Sequence, residues 1–375
     1  MKTEPEAGLY LHVPFCGKKC PYCDFYSVAS VDETAFSKWV SAVSAEAKMN
    51  EDFPALFKTL YLGGGTPSLL TDSALKEVMA NLRKIFNLDN LDEITIELNP
   101  EDITEGKLGT YKRLGFNRIS LGVQSFIDEE LEMLRRRHDS ETSIRAIEMI
   151  RGAGFRNLSI DLISSLPGQS VRACRASLER AVTLKPEHIS CYQLTIKPDT
   201  VFGKLHSSGR LKEVPEDIGE EIFIQAAEFL SGNGYIQYEV SNFSRGNGRI
   251  SRHNSMYWEH LPYLGLGPSA HSFDGKNRWS NVNSVESYCE EVLNNRTPVS
   301  GLELLSEKDL ALEALFLGLR TMKGVSLDVL KRYDGWEDAL SRLSSLSLVK
   351  VIGGRMVPTL KGLLFADRLP LFFIG

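Results

Sequence analysis

Three cysteines near the start of the chain carry the most explicit chemistry. Cys16-Gly-Lys-Lys-Cys20-Pro-Tyr-Cys23 sets them at spacing C-x3-C-x2-C, in a loop with two lysines. Three thiolates this close can hold three corners of an iron–sulfide cubane, whereas a fully ligated [4Fe-4S] cluster needs a fourth cysteine. A C-x-C could have supplied it, but the residue two after Cys23 is Phe25. One iron is then left open, as a catalytic zinc keeps one position for water or substrate. The competing reading is a structural zinc site, or three thiols that happen to be neighbours. Zinc pairs usually come as C-x2-C twice, or as C-x2-C with paired histidines. Here Cys174, Cys191 and Cys289 are solitary, each inside a strand- or helix-like run, so no second half is offered.

The elements that must position this loop follow from periodicity. Leu9–Val13 alternates and reads as a short buried strand that Pro14 stops. Helices are expected at Glu33–Asn50, from Thr71 or Asp72 to Phe86, and at Glu105–Leu114, Asp128–Arg137, Glu141–Ala153 and Val171–Leu184. Strands alternate with them at Thr59–Gly63, Glu93–Leu98, Asn117–Val123, Asn157–Ile163 and His188–Leu194. Strand–helix alternation means parallel βαβ units, which can close as a doubly wound sheet or a barrel. Polar, functional-looking residues follow strand after strand, as the C-terminal rim of a barrel requires. The expected fold is therefore α/β, a partial (β/α)6 TIM-like barrel over residues 1–200.

Along that rim, Gly63-Gly64-Gly65 exposes backbone to a ligand or simply makes a tight turn. Glu97 closes the third strand, Gln124 the fourth, and Arg136 is expected on the next helix. Asp161 lies inside the apolar strand Ile160–Ile163 and must have a partner there: a cation, backbone N–H groups or a ribose diol.

C-x3-C-x2-C directly after a first strand resembles the signature of radical S-adenosylmethionine (SAM) enzymes. The resemblance implies a [4Fe-4S] cluster on Cys16, Cys20 and Cys23, whose open iron is chelated by SAM. Gly63-Gly64-Gly65-Thr66-Pro67 looks like the family loop that hydrogen-bonds the SAM amino group, which brings in Gly64, Gly65 and Thr66. The rim is similar to the anaerobic coproporphyrinogen III oxidase-like branch. By that likeness Arg136 grips the SAM carboxylate, Gln124 and Asp161 hold ribose hydroxyls, and Glu97 accepts from the ribose or the ammonium. Tyr10 on the first strand and Thr195, closing the sixth, complete the implied set.

The second half leaves the barrel rhythm. Pro198–Val214 is polar and turn-rich, Glu216–Asn233 is an amphipathic helix, and Gly234–Phe243 reads as one strand with Tyr235 and Tyr238 on opposite faces. A basic loop with Arg245, Arg249 and Arg252 leads into His253-Asn-Ser-Met-Tyr257-Trp258. A lone histidine is more often a satisfied structural residue. This grouping could also serve a haem: imidazole for iron, rings against the macrocycle, cations for propionates. The string resembles the H-N-x-x-Y-W motif of the HemW family of radical-SAM haem chaperones, as do Cys23-Asp-Phe25 and Tyr263-Leu-Gly-Leu-Gly-Pro-Ser-Ala-His271. The resemblance implies haem binding at His253 and delivery to acceptor proteins, with no porphyrinogen decarboxylation. Oxygen-independent coproporphyrinogen III oxidation is the alternative, and a protein keeping its cluster only for structure is a third. Residues 201–300 are expected to form an extension carrying the haem motif. Residues 301–375 follow as a smaller α+β, winged-helix-like domain, with helices before a hairpin at Leu348–Pro358.

The 375 residues, 42% hydrophobic and 25% charged, suit one large and one smaller globular domain. A net charge of −6 argues against a nucleic-acid partner. The first residues hold no apolar run of a signal peptide, and no apolar stretch approaches the ~20 residues of a transmembrane segment. Six scattered cysteines make no disulfide framework, so a reduced, cytoplasmic protein is expected.

Overall fold

A computed structural model describes residues 5–29 and 32–374. In chain order the first elements are β1 Glu6–Val13, α1 Glu33–Met49, β2 Leu56–Gly64, α2 Asp72–Ile85, β3 Glu93–Leu98, α3 Glu105–Arg113 and β4 Arg118–Gln124. There follow α4 Asp128–Met133, α5 Ser140–Gly152, β5 Leu158–Ser164, α6 Val171–Thr183, β6 His188–Gln193, α7 Val201–Ser207 and α8 Glu216–Gly232. Next come β7 Ile236–Gln237, β8 Asn242–Ser244, α9 Arg252–Trp258, β9 Tyr263–Leu266, β10 His271–Phe273, β11 Asn277–Asn281, α10 Val285–Leu293 and β12 Val299–Leu304. The chain ends with α11 Glu307–Gly318, β13 Val325–Ser326, α12 Leu327–Leu330, α13 Trp336–Ser345, β14 Val349–Ile352, β15 Arg355–Pro358 and α14 Leu360–Leu364. Many helices begin where a hydroxyl or carboxylate side chain accepts a first-turn N–H: Thr71 for α2, Thr104 for α3, Asp139 for α5, Ser170 for α6.

The chain divides into two compact units built from interleaved segments. The first comprises residues 1–161, 196–211 and 261–304. Its strands lie in the order β12-β11-β10-β9-β1-β2-β3-β4-β5. From β1 to β4 they run parallel in chain order, with Leu9 opposite Leu60 and Leu62 opposite Ile96. β1 also pairs in parallel with β9 on its other side, Leu9 opposite Leu264. Side chains alternate along a strand: Ala7, Leu9, Leu11 and Val13 form one, fully buried face of β1, and Tyr10 and His12 lie on the other. Helix α1 covers it with Phe36, Trp39, Val40 and Val43.

The second unit comprises residues 162–195, 212–260 and 305–375. Here β6 follows the end of β5, Leu194 N–H donating to Ser164 O at 2.9 Å, and pairs antiparallel with β8 and through it β7. The chain's last segment builds the antiparallel sheet β13-β15-β14 against helices whose core includes Leu315, Leu330, Leu343, Met356 and Leu369. This is the winged-helix-like pattern of helices followed by a hairpin, which turns at Gly353-Gly354 as expected.

Three local expectations are corrected. Val201–Ser207 is a helix, capped by Thr200, inside the stretch read as turn-rich. Gly234–Phe243 is not one strand: it breaks after Gln237 and turns back, so β7 and β8 pair with each other. Neither Tyr235 nor Tyr238 lies in β7: the Tyr235 hydroxyl donates to Pro186 O at 2.8 Å, and that of Tyr238 meets His188 Nε2 at 2.8 Å. Helix α4 ends at Met133, and Arg135 takes a left-handed φ of 53°, so Arg136 stands in the turn after the helix and not on it. Among the described residues no helix is long and apolar enough to cross a membrane.

Candidate functional site

The cysteine loop is closed at its base by backbone. Cys16 N–H donates to Val28 O (2.9 Å) and Val28 N–H to Pro14 O (2.8 Å). Phe15 anchors the start, fully buried against Phe36 and Trp39. The loop is held from above by α7: Phe202 N–H donates to Pro21 O at 2.9 Å, and its ring lies 6.3 Å from that of Tyr22. Cys16, Cys20 and Cys23 are each half-buried. Burial pushes the Cys23 thiol up, and the charges of Cys20 and Cys16 add to that, so the three sulfurs sense one another. Among the described residues no three His, Cys, Asp or Glu side chains are gathered closely enough for a single metal ion. Cys174, Cys191 and Cys289 are buried, on α6, β6 and α10.

Behind the loop the strand ends bring the rim residues together. A methyl on Gly65 would lie 2.6 Å from Phe15 O, and one on Gly64 2.5 Å from the His12 ring, with Gly64 at φ +107°. The glycines therefore answer first to the close approach of β1 and the turn. Glu97 accepts from the Tyr61 hydroxyl (2.7 Å) and from Gly64 N–H (3.2 Å). Enclosure of its carboxyl, and after it the charge of Asp161, raise the pKa to about 7 against the pull of Tyr61 and Gly64 N–H. Asp161 is bonded by hydroxyls: Ser120 Oγ lies at 2.8 Å and Ser159 Oγ at 3.2 Å. Tyr10 meets His12 Nδ1 at 3.2 Å and stacks on Tyr61. Gln124 ends β4 at a left-handed φ of 67°. Its amide folds back over Gly122, where a methyl would come within 2.9 Å.

Arg136 donates through Nη1 to Cys20 Sγ (3.5 Å) and through Nη2 to Gly122 O (3.1 Å) and Asn99 Oδ1. Burial lowers its pKa, but Tyr22, Cys20 and Glu101 outweigh that and hold the guanidinium charged. Its neighbour Arg137 bridges Glu101 (3.3 Å) and Asp102 (3.2 Å), a structural role. Sequence reasoning passed over Gly122, Asn99 and Phe202. The first two were legible as strand-end residues; Phe202 gave no signal, because its partner Tyr22 is remote in sequence.

Thr195 and His253 belong to the other unit. Thr195 is exposed, two residues past the end of β6. His253 is 1% exposed on α9, and its Nε2 lies 2.9 Å from the Tyr257 hydroxyl one helical turn on. Burial lowers its pKa to about 3, so the ring is neutral. Trp258 closes the same helix with the Arg320 guanidinium over its ring at 5.5 Å.

The family model described as Radical SAM superfamily matches residues 10–181, the stretch that carries the loop and the rim. A Bacillus subtilis chain named Heme chaperone HemW is 36% identical over 322 residues, covering 84% of this chain and 84% of its own. A Mycobacterium tuberculosis chain of the same name is 32% identical over 373 residues, 98% of this chain and 95% of its own. This chain belongs to the HemW family. The match to the mycobacterial HemW runs through α9 and the winged-helix-like segment. Among solved structures, coproporphyrinogen III oxidase (HemN) from Escherichia coli, described as a radical SAM enzyme, superposes with a TM-score of 0.83. It covers 99% of this chain and 90% of its own at 23% identity, a likeness of fold: mixed α/β with a central parallel sheet.

Proposed function

We propose that this HemW-family protein binds haem and passes it to acceptor proteins in the cytoplasm, using a [4Fe-4S] cluster and SAM. Kinship with proteins named heme chaperones, over 98% of the chain in one case, carries this reading. Cys16, Cys20 and Cys23 would hold the cluster, which would supply the electron for SAM cleavage. Arg136 would hold the SAM carboxylate, a role suited to a charged guanidinium whose Nε is buried without a partner among the described residues. Gly64, Gly65 and Thr66 would line the amino end. Gln124 and Asp161 would meet the ribose hydroxyls, Glu97 would accept from the ribose or the ammonium, and Tyr10 would flank them. The division of labour would then follow the chain: cluster and SAM on residues 1–200, haem motif on 201–300, and a packing or docking domain on 301–375. For His253 to ligate haem iron, its neutral ring must be released by Tyr257.

The deciding experiment is anaerobic reconstitution with parallel haem titration and coproporphyrinogen III consumption. Haem binding without turnover supports the chaperone. Turnover of coproporphyrinogen would replace it with the oxidase reading.

A further inference from the structure

Asn99 stands at the centre of a run of contacts linking two of the three cysteines. Its Oδ1 accepts from Arg136 Nη2, and its Nδ2 donates to Thr66 Oγ1 at 3.4 Å. Thr66 Oγ1 lies 3.2 Å from Cys16 Sγ, and Arg136 Nη1 donates to Cys20 Sγ at 3.5 Å. Cys16 and Cys20 are thus joined through three side chains that follow β2, β3 and α4, all in the first unit. Asn99 touches both of the others.

An amide is donor and acceptor at once, and this position uses both ends. A carboxylate of the same shape would keep the hold on Arg136 but lose the donor to Thr66. Alanine would lose both. The grip also has a direction. With Nη2 tied to Asn99 and Gly122 O, and Nη1 turned to Cys20, the guanidinium keeps its Nε buried and without a partner among the described residues. A buried donor left unmatched is destabilising, so this orientation makes sense when an acceptor arrives from outside the chain.

We propose that Asn99 is a positioning residue. It sets the rotation of the Arg136 guanidinium so that one edge serves the cluster-loop thiolate at Cys20 and the Nε edge receives the carboxylate of a bound ligand. This rests on the reading of the site as a cluster and SAM centre. It adds a coupling between them that no cysteine or SAM contact alone provides.

The test compares wild type, Asn99→Ala and Asn99→Asp after anaerobic reconstitution. Iron and sulfide content, SAM affinity, the midpoint potential of the cluster and the thermal midpoint are measured for each. All three are expected to load the cluster fully. Asn99→Ala should bind SAM about tenfold more weakly, the loss of roughly one hydrogen bond to a charged group. Asn99→Asp keeps the shape but puts a negative charge beside Arg136 and near Cys20. Its SAM affinity should fall further than that of Asn99→Ala, and its potential should move to more negative values. A merely structural role would lower the thermal midpoint and leave the potential where it was, and that result overturns the proposal. So does SAM affinity unchanged in both variants. A wild-type protein that takes up neither cluster nor SAM would instead overturn the underlying functional reading, and the two failures are told apart by that control.

Discussion

The Tyr257 hydroxyl lies 2.9 Å from Nε2 of His253, so the imidazole assigned to haem iron is already engaged within its own helix. The pair is spaced one turn apart on α9 and meets edge to face. Tyr257→Phe should therefore tighten haem binding, while His253→Ala should abolish the Soret shift and leave cluster content intact. Haem titration followed in the Soret band checks both. Normal haem affinity in His253→Ala would move the ligand elsewhere, with His271 the next residue to replace.

Loss of any one of Cys16, Cys20 or Cys23 to alanine should abolish the reconstituted [4Fe-4S] centre. Cys174→Ala, Cys191→Ala and Cys289→Ala should keep it, since those thiols are buried on α6, β6 and α10 and are not part of the C-x3-C-x2-C loop. Iron and sulfide analysis with EPR decides the matter, and full occupancy in Cys20→Ala would sink the assignment.

At the SAM pocket, Arg136→Lys removes the planar fork that Cys20, Gly122 and Asn99 now orient. Asp161→Asn alters the carboxylate that Ser120 and Ser159 bond. Each should weaken SAM binding by roughly ten- to a hundredfold, the 1.5–3 kcal/mol of a hydrogen bond to a charged group, without displacing the cluster. Calorimetric titrations with both affinities unchanged would show that the rim does not hold SAM.

Glu97 gives the apo-protein a pH signature. Burial first, and Asp161 with it, raise its carboxyl from 4.5 to about 7. Between those values the folded chain holds a proton that the unfolded chain has released. Its contribution to stability is complete below about pH 4.5 and is lost as the pH climbs to about 7. Thermal midpoints should accordingly fall less between about pH 5 and 8 in Glu97→Gln than in wild type. Parallel curves for the two proteins would place the raised group elsewhere.

Phe202→Ala should loosen the cysteine loop from a distance in sequence. The ring is 3% exposed and packs on Tyr22, and truncating a buried Phe costs about 3–5 kcal/mol. The thermal midpoint should drop and cluster loading become incomplete. A lower midpoint with full loading would show that α7 stabilises its unit without holding the loop.

Read alone, the chain already determined the strand–helix rhythm from Leu9 to Leu194, the cysteine loop after the first strand and the hairpin turning at Gly353-Gly354. These are local matters: apolar period, capping hydroxyls and glycines at turns act over a few residues, and Glu93–Leu98 needs no distant partner to be recognised as a strand. Tertiary structure decided the rest, because it depends on groups far apart in sequence. β9 returns to pair with β1, putting Leu264 beside Leu9. Val201–Ser207 becomes a helix packed against Tyr22, and Gly234–Phe243 folds back on itself instead of running on. Asp161 finds its hydroxyl partner Ser120 on a neighbouring strand, and Arg136 reaches Cys20 across 116 residues. No periodicity encodes those meetings. They follow from which strand ends the sheet brings side by side, and from the need of each buried charge for a partner.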